Sequence, residues 1–295
     1  MHEDQLDISE DQVALLLADE LSEWAGERVE RLVGTGTVNA IFRVGDQLTA
    51  RFPLRPEDPG VLRAVLEREA RSAYELSLVS PFPTSQPLHI GRPGHGFPLP
   101  WSVQSWLEGL TPTPTSCAHA LDLAGDLLLL IGALREADTR GRRFTGTGRG
   151  GELSDHDAWV ERCLQESAAL VDITALRALW HTFRTLPRED ADVMSHTDLI
   201  PGNLLTDDNR LVGVLDGGGF QAADPALDLV CAWHLFDPEA REVLRQGLSC
   251  PDLQWERGKA WAFEQAMGVV WYYVDTNPQM AEMGRTTLER LLRDA

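Results

Sequence analysis

The sequence predicts an α+β protein of two lobes, in which a small antiparallel sheet with one helix precedes a larger, mainly helical lobe. In the first 110 residues, short β-branched and aromatic runs alternate with glycine turns, as in an antiparallel sheet. From residue 111 onward, long segments repeat apolar residues with a helical period. A polar stretch over residues 195–229 interrupts these helices and carries several acidic and amide side chains. We therefore expect the chemistry of the protein to reside in the second lobe.

The first lobe, residues 1–110, is predicted to form around four short strands. These strands cover residues 29–33, 40–44, 48–52 and 101–107. A lead-in helix is predicted over 9–24, with Ser9 as its N-cap, and a second helix over 61–76. The segment 80–100 is rich in proline and glycine, so it is too irregular for a helix.

The second lobe, residues 111–295, is predicted to be helical on both sides of the polar stretch. Its predicted helices cover residues 118–137, 155–171, 174–185, 229–236, 238–246, 254–274 and 279–292. The first of these is apolar enough to be the buried central helix of the lobe. Residues 139–151 are rich in glycine and arginine without an apolar period, which predicts a surface loop with solvated arginine side chains.

Within the polar stretch, His196, Asp198 and Asn203 match the pattern H-x-D-x-x-x-x-N. An apolar run over 211–215 follows a polar turn and ends in Asp216, which predicts a hairpin that brings a second carboxylate beside the first. Phosphoryl transfer uses such groups, because a divalent cation that bridges phosphate oxygens prefers hard oxygen ligands. The alternative interpretation is that the first aspartate and the asparagine only shape a turn, where both residue types are common for backbone reasons.

The polar stretch resembles the aminoglycoside phosphotransferase family, small-molecule kinases with a protein-kinase-like fold. The family signature runs H-G-D-L-x-x-x-N, a strand ending in I-D, and D-P-A-x-D-L. Here the corresponding residues are His196–Leu199 with Asn203, Leu215–Asp216 and Asp224–Leu229. Thr197 replaces the usual glycine, and Gly217 replaces a frequent tryptophan. Neither departure removes a carboxylate or the amide, so both are expected to affect loop shape more than chemistry.

The resemblance implies a role for each polar residue of the stretch. Asp198 would orient the acceptor hydroxyl and accept its proton, while Asn203 and Asp216 would bind one or two Mg²⁺ ions. The supporting residues, expected to hold the loop and cap the next helix without touching the acceptor, are His196, Asp224 and Asp228.

The resemblance also places nucleotide-binding residues in the first lobe. Kinases carry a phosphate-binding lysine on the third strand, but the sole lysine of this chain is Lys259, so Arg51 is the expected strand cation. Its expected partner on the following helix is Glu69, with Glu67 as the near alternative; the other interpretation is that Arg51 and Glu69 are plain solvated side chains. The glycine turn over the phosphates would contain Gly34 and Gly36, although a lone G-x-G equally describes an ordinary hairpin turn. The backbone expected to meet the nucleotide base is that of Ser105, Trp106 and Leu107.

The implied reaction moves the γ-phosphoryl group of ATP, or of GTP, to a hydroxyl of an aminoglycoside-like antibiotic, which would make the protein an antibiotic-resistance enzyme. The alternatives are a kinase for a macrolide, a choline-like alcohol or a sugar amine, and a non-catalytic nucleotide-binding protein. The carboxylates that could bind ammonium groups, each alternatively a solvated side chain, are Asp157, Glu161, Glu264 and Asp275. An aromatic stripe over 255–273 could line a pocket, but such spacing is usually core.

Composition excludes several classes of partner. The chain has 46 acidic and 26 basic residues, a net charge of −20, which repels nucleic acid and anionic membranes and would attract a cationic ligand. The alternative explanation of this charge is solubility or a compositional bias of the source proteome. Four scattered cysteines without a C-x-x-C pair argue against a disulfide framework or a zinc site. An acidic N-terminus and no apolar run of about 20 residues indicate a cytoplasmic protein.

Overall fold

The computed structural model describes residues 5–32, 39–146 and 148–294. Its contacts divide the chain into two compact units. Unit 1 comprises Met1–Leu78 and Thr84–Glu108, and unit 2 comprises Val79–Pro83 and Gly109–Ala295. The predicted α+β class is confirmed, because strands form a five-stranded antiparallel sheet in unit 1 and helices dominate unit 2.

Unit 1 is built on one antiparallel sheet with strand order β1-β2-β3-β5-β4. The strands are β1 (Val29–Leu32), β2 (Asn39–Val44), β3 (Leu48–Pro53), β4 (Pro87–Gly91) and β5 (Trp101–Ser105), and the helices are α1 (Glu10–Glu20) and α2 (Pro59–Val79). Strand β4 lies in the proline-rich segment, where the sequence predicts no strand. It occupies the sheet edge, which proline tolerates because no ladder partner is needed on the outer side.

The core of unit 1 lies between α1 and the buried face of the sheet. Alternate residues of β2 are buried, as expected for a strand with one covered face. Phe52 stacks on Trp101 with ring centroids 5.2 Å apart, and Val13 and Leu16 of α1 pack into the same cluster. A capping box starts α1: the Ser9 hydroxyl accepts from the Gln12 N–H, and the Gln12 side chain accepts from the Ser9 N–H.

Unit 2 contains seven of the helices found in the described residues. They are α3 (Leu121–Glu136), α4 (Asp157–Glu166), α5 (Ile173–Phe183), α6 (Val230–Leu235), α7 (Pro238–Gly247), α8 (Asp252–Tyr272) and α9 (Pro278–Arg293). The predicted central helix is confirmed in α3, where Leu123, Leu127, Leu130, Ile131 and Leu134 are buried. Helix α8 is buried along most of its length, so it forms the second axis of this unit.

Two small hairpin-like pairs of strands frame the polar stretch in unit 2. Strands β6 (Val193–Ser195) and β9 (Gln221–Ala223) pair with each other, and so do β7 (Leu204–Asp207) and β8 (Arg210–Val214). The predicted hairpin between 204 and 215 is therefore confirmed. Pairing of β6 with β9 brings Ser195 opposite Gln221, so the intervening residues 196–220 form a closed loop.

All four cysteines are buried free thiols, as expected from their scattered positions. Among the helices of the described residues, none combines the length and apolarity needed to cross a lipid bilayer.

Candidate active site

A buried carboxylate holds the start of the H-x-D loop. Asp228, 3% exposed, accepts hydrogen bonds from the Ser195 hydroxyl at 2.9 Å, from the His196 N–H at 3.1 Å and from the Thr197 N–H at 3.2 Å. Burial raises the pKa of Asp228, while these donors and the charge of His196 oppose the rise. His196 is itself buried and its Nε2 donates to the Leu215 carbonyl at 2.8 Å. Asp228 and His196 therefore hold the H-x-D loop in place through buried hydrogen bonds.

Thr197 explains why the family pattern places glycine at this position. Its φ is 72°, in the left-handed region that glycine adopts freely and that costs other residues of order 1 kcal/mol. The Thr197 hydroxyl offsets part of that cost by donating to the Gly219 carbonyl at 3.2 Å. This bond ties the loop that carries Asp198 to the glycine turn that follows Asp216.

Asp198 stands at the end of this loop with both carboxylate oxygens engaged. Oδ1 accepts from Arg149 Nη2 at 3.0 Å and from Gln265 Nε2 at 3.3 Å, and Oδ2 accepts from Asn203 Nδ2 at 3.1 Å. The Asp198 side chain is 34% exposed, so it is held by the protein yet open to a ligand. These contacts fix the orientation of the carboxylate, as a group that must align a reacting hydroxyl requires.

Gln265 is the innermost donor to Asp198 and is positioned by a buried histidine. Its Oε1 lies 2.8 Å from His234 Nε2, and His234 Nδ1 lies 3.0 Å from the Thr287 hydroxyl. Because a carboxylate accepts the Gln265 amide N–H, the amide oxygen faces His234, which must donate from Nε2. Burial lowers the pKa of His234 to about 4, so the ring is neutral near pH 7.

Asn203 is oriented so that it can also hold a cation. Its amide nitrogen donates to the Asp198 carbonyl at 2.8 Å and to the Asp198 carboxylate, which turns the amide oxygen away from both. The Leu215 N–H donates to the Asn203 carbonyl at 2.8 Å. This bond brings the backbone of the residue before Asp216 next to that of Asn203. Asp216 is exposed, and a carboxylate with an amide oxygen suits Mg²⁺, which binds one or two protein ligands plus phosphate oxygens. Among the described residues, no group of three or more His, Cys, Asp and Glu side chains could hold a metal ion.

A second carboxylate lies on the other side of Arg149. Glu264 Oε1 is 2.9 Å from His156 Nδ1, and Glu264 Oε2 is 3.9 Å from Arg149 Nη1. Both Glu264 and His156 are buried, with side chains 6% and 9% exposed. Burial alone would lower the pKa of His156, but the hydrogen bond and charge of Glu264 outweigh it and raise the pKa above 6.5. Arg149 therefore lies between two acidic groups.

The His156–Glu264 pair predicts a pH-dependent contribution to stability. A histidine whose folded pKa exceeds its unfolded pKa stabilises the fold fully below the unfolded value and stops doing so as pH rises through the folded value. We expect His156→Asn to lose more unfolding free energy, relative to wild type, at pH 6 than at pH 9. Urea denaturation of both proteins at the two pH values measures this difference, and an equal loss at both would contradict the charged pair.

Other residues predicted from the sequence lie in unit 1. Arg51 lies within β3, opposite Ile41 and Ser102, and Glu69 is exposed on α2. Their pairing stays a prediction, whereas the alternative partner Glu67 bonds Arg63 at 3.0 Å. Gly34 and Gly36 lie outside the described residues.

Existing hydrogen bonds reduce the number of backbone N–H groups that could bind the nucleotide base. The Ser105 N–H donates to the Gln86 carbonyl at 2.9 Å, and the Trp106 N–H donates to the Gln47 carbonyl at 2.7 Å. Both donors are therefore used inside unit 1. Leu107 is left as the candidate N–H donor of this segment.

The acidic residues considered for ammonium binding are mostly paired. Asp157 bonds the Arg184 guanidinium through both oxygens, and its pKa is lowered chiefly by that hydrogen bond. Glu161 bonds Arg177 at 2.9 Å. In the aromatic stripe, Trp255 and Trp261 are buried, as in a core.

The sequence interpretation of the arginine-rich loop as solvated is incomplete for Arg149. Its side chain is 34% exposed and also contacts Asp198, because the loop passes over the polar stretch: the Gly150 carbonyl accepts from the Asp224 N–H at 3.1 Å. Gln265 and His234 were also missed. The available signal was weak, since a polar residue among the buried positions of α8 is the only local sign of Gln265.

Comparison with solved structures supports the fold. The chain is similar to the GDP and kanamycin complex of APH(2")-IIia, with 17% identity, 96% of this chain and 98% of the other covered, and a TM-score of 0.72. It is similar to the streptomycin-ATP-APH(2")-IIa ternary complex, with 15% identity, 98% and 97% coverage and a TM-score of 0.63. It is also similar to the macrolide 2'-phosphotransferase MphH from Brachybacterium faecium, with 19% identity, 95% and 98% coverage and a TM-score of 0.58.

Sequence comparison defines the family. No curated protein is similar enough in sequence to match. The model of the phosphotransferase enzyme family, APH, matches residues 30–261, well over half of the chain. This match, the protein-kinase-like fold and the loop that carries Asp198 agree, and the chain belongs to the phosphotransferase enzyme family.

Proposed function

We propose that this phosphotransferase moves the γ-phosphoryl group of ATP or GTP to a hydroxyl group of a small molecule. The observation that carries the proposal is the oriented, partly exposed carboxylate of Asp198 beside the amide of Asn203. A carboxylate that only shapes a turn does not need a donor from a distant helix, such as Gln265, and does not need to be accessible to a ligand. The non-catalytic alternative has no use for this arrangement.

In the proposed reaction, Asp198 accepts a hydrogen bond from the acceptor hydroxyl and receives its proton as the oxygen attacks the γ-phosphorus. The new O–P bond forms as the bond between the γ-phosphorus and the bridging oxygen breaks, and the nucleoside diphosphate leaves. Gln265 and Asn203 hold the carboxylate in line during this step. General-base catalysis and positioning together contribute about 100- to 10,000-fold in such reactions.

Asn203 and Asp216 would hold Mg²⁺. The ion neutralises charge on the phosphate oxygens and orients the nucleotide. Both residues lie on the β7–β8 hairpin or at its ends, so one local structure would set their spacing. In unit 1, Arg51 supported by Glu69 would contact the phosphates, and the Leu107 N–H would meet the base.

The acceptor is proposed to be hydroxylated and small, with an aminoglycoside as the first candidate because similar structures are complexes with kanamycin and streptomycin. The ion pairs of Asp157 and Glu161 favour a second candidate, an acceptor with one or no ammonium group, such as a macrolide or a sugar-like alcohol. An ammonium group gains most from a carboxylate that has no other cation beside it. Asp157 and Glu161 already pair with arginine.

The experiment that tests the function measures nucleoside diphosphate release with a panel of acceptors sorted by charge. The panel contains kanamycin and streptomycin, erythromycin, choline, glucosamine and uncharged sugar alcohols, each with ATP and with GTP. We expect at least one acceptor to raise turnover, and the rise to disappear with EDTA and in Asp216→Ala. Faster transfer to kanamycin or streptomycin supports the first candidate, and faster transfer to the weakly charged compounds supports the second. Nucleotide binding without transfer to any acceptor would favour the non-catalytic alternative.

A further inference from the structure

Arg149 occupies a hydrogen-bonding position on Asp198 Oδ1, the oxygen that already carries two donors. A hydroxyl that gives up its proton must approach a carboxylate oxygen to about 2.6–3.2 Å. Oδ1 already accepts from both Arg149 and Gln265, so its lone pairs are used, and Oδ2 accepts from Asn203. Three of the roughly four lone-pair sites of the carboxylate are therefore occupied, and a hydroxyl that approaches Oδ1 must displace Arg149 or Gln265.

Of these donors, Arg149 is the one free to move. Gln265 is buried and bonded to His234, and Asn203 is also bonded to the Asp198 carbonyl. Arg149 is 34% exposed and extends from a glycine-rich loop. It can release Asp198 without opening the core.

Glu264 offers Arg149 a second position. Glu264 Oε2 is buried and has no hydrogen-bond partner among the described residues, while Arg149 Nη1 lies 3.9 Å away. A buried carboxylate oxygen without a donor is costly, and a shift of about 1 Å would bring the guanidinium within hydrogen-bond distance. The pair of carboxylates thus forms two alternative partners for one guanidinium.

We propose, on the basis of the proposed function, that Arg149 is a specificity-determining residue that covers Asp198 until the acceptor hydroxyl displaces it onto Glu264. A bound acceptor replaces the lost ion pair with its own contacts to unit 2, whereas a single water molecule has few such contacts to offer. The arrangement selects an alcohol over water as the nucleophile. In the suppressed reaction, water would attack the γ-phosphorus, the bridging O–P bond would break, and Asp198 would take the proton.

The test measures nucleotide hydrolysis by the full chain without acceptor, with Mg²⁺ and ATP or GTP. We expect Arg149→Gln to hydrolyse nucleotide about 10-fold faster than wild type, because a charge-assisted hydrogen bond that competes with water is removed. Arg149→Lys should stay closer to wild type because it keeps the charge. Arg285→Gln, an exposed arginine of α9, is the matched control and should leave hydrolysis unchanged.

The double variant Arg149→Gln/Asp198→Asn separates this inference from the proposed function. If the added hydrolysis disappears in the double variant, the base is the group that Arg149 covers. If Arg149→Gln does not exceed wild type, or if Arg285→Gln rises equally, Arg149 does not guard Asp198, and the transfer reaction can still hold. If Asp198→Asn changed hydrolysis neither alone nor combined with Arg149→Gln, both the role of Arg149 and the proposed role of Asp198 would be wrong.

Discussion

We expect Asp198→Asn to lose at least about 100-fold in phosphoryl transfer while binding nucleotide like the wild type. Asparagine keeps the shape of the side chain but cannot accept the proton of the attacking hydroxyl. Nucleotide affinity should survive because Asp198 is not among the residues proposed to hold the phosphates and the metal. Turnover is measured by diphosphate release with the best acceptor, and affinity by nucleotide titration.

Asp216→Ala is the matched comparison for Asp198→Asn. A ligand to a metal that bridges the phosphates serves both the bound nucleotide and the transition state, so its loss should weaken nucleotide binding as well as turnover. The two variants should therefore differ in affinity even where both are slow. Near-wild-type turnover in Asp198→Asn, or identical behaviour of the two, would show that the polar stretch has been assigned the wrong roles.

The largest expected effect on stability comes from Asp224→Ala. Asp224 Oδ2 accepts from Arg257 Nη2 at 2.6 Å, from Arg257 Nε at 2.8 Å and from Trp261 Nε1 at 3.0 Å. The two charged side chains are 1% and 2% exposed, so removal of the carboxylate leaves an uncompensated buried guanidinium. Breaking a buried pair in this way costs about 3–5 kcal/mol. Urea denaturation measures the loss.

Asp252→Ala provides the exposed counterpart. Asp252 pairs with Arg245, but its side chain is 93% exposed, and such pairs contribute about 0–1 kcal/mol. We expect its midpoint to stay near that of wild type. If Asp224→Ala lost no more than Asp252→Ala, the other bonds of Arg257, to the Leu186 and Gly151 carbonyls, would be sufficient to compensate its charge.

Local spacing explains which parts were predictable. Asp198, Asn203 and Asp216 lie within one short stretch of sequence. The apolar run that ends at Asp216 directly follows a polar turn, so neighbouring residues are enough to predict the hairpin and the carboxylate at its end. The role of Asp228 as a support was expected and is confirmed by its three donors. In each case the interacting groups are close in sequence or belong to one motif.

The rest depends on contacts between distant segments. Arg149 and Gln265 are 49 and 67 residues from Asp198 along the chain, and no periodicity records which polar residue of a loop or helix will face a loop elsewhere. Strand β4 was missed because the segment around it is rich in proline and glycine, whereas a sheet edge tolerates proline. Tertiary packing decided all three.

Because the Thr197 hydroxyl donates to the Gly219 carbonyl, the residue type at position 197 affects which residue types fit at position 219. A Cβ atom added at Gly219 would lie 2.6 Å from Thr197 Oγ1 and 3.4 Å from the His196 carbonyl, so any side chain there would break the bond that compensates the left-handed backbone. With threonine at 197, a side chain at position 219 would force the Thr197 hydroxyl to move, which favours glycine there. Glycine at 197 would remove both the backbone strain and the obstructing hydroxyl. Among related chains, these two positions should therefore vary together, each setting the choice open to the other.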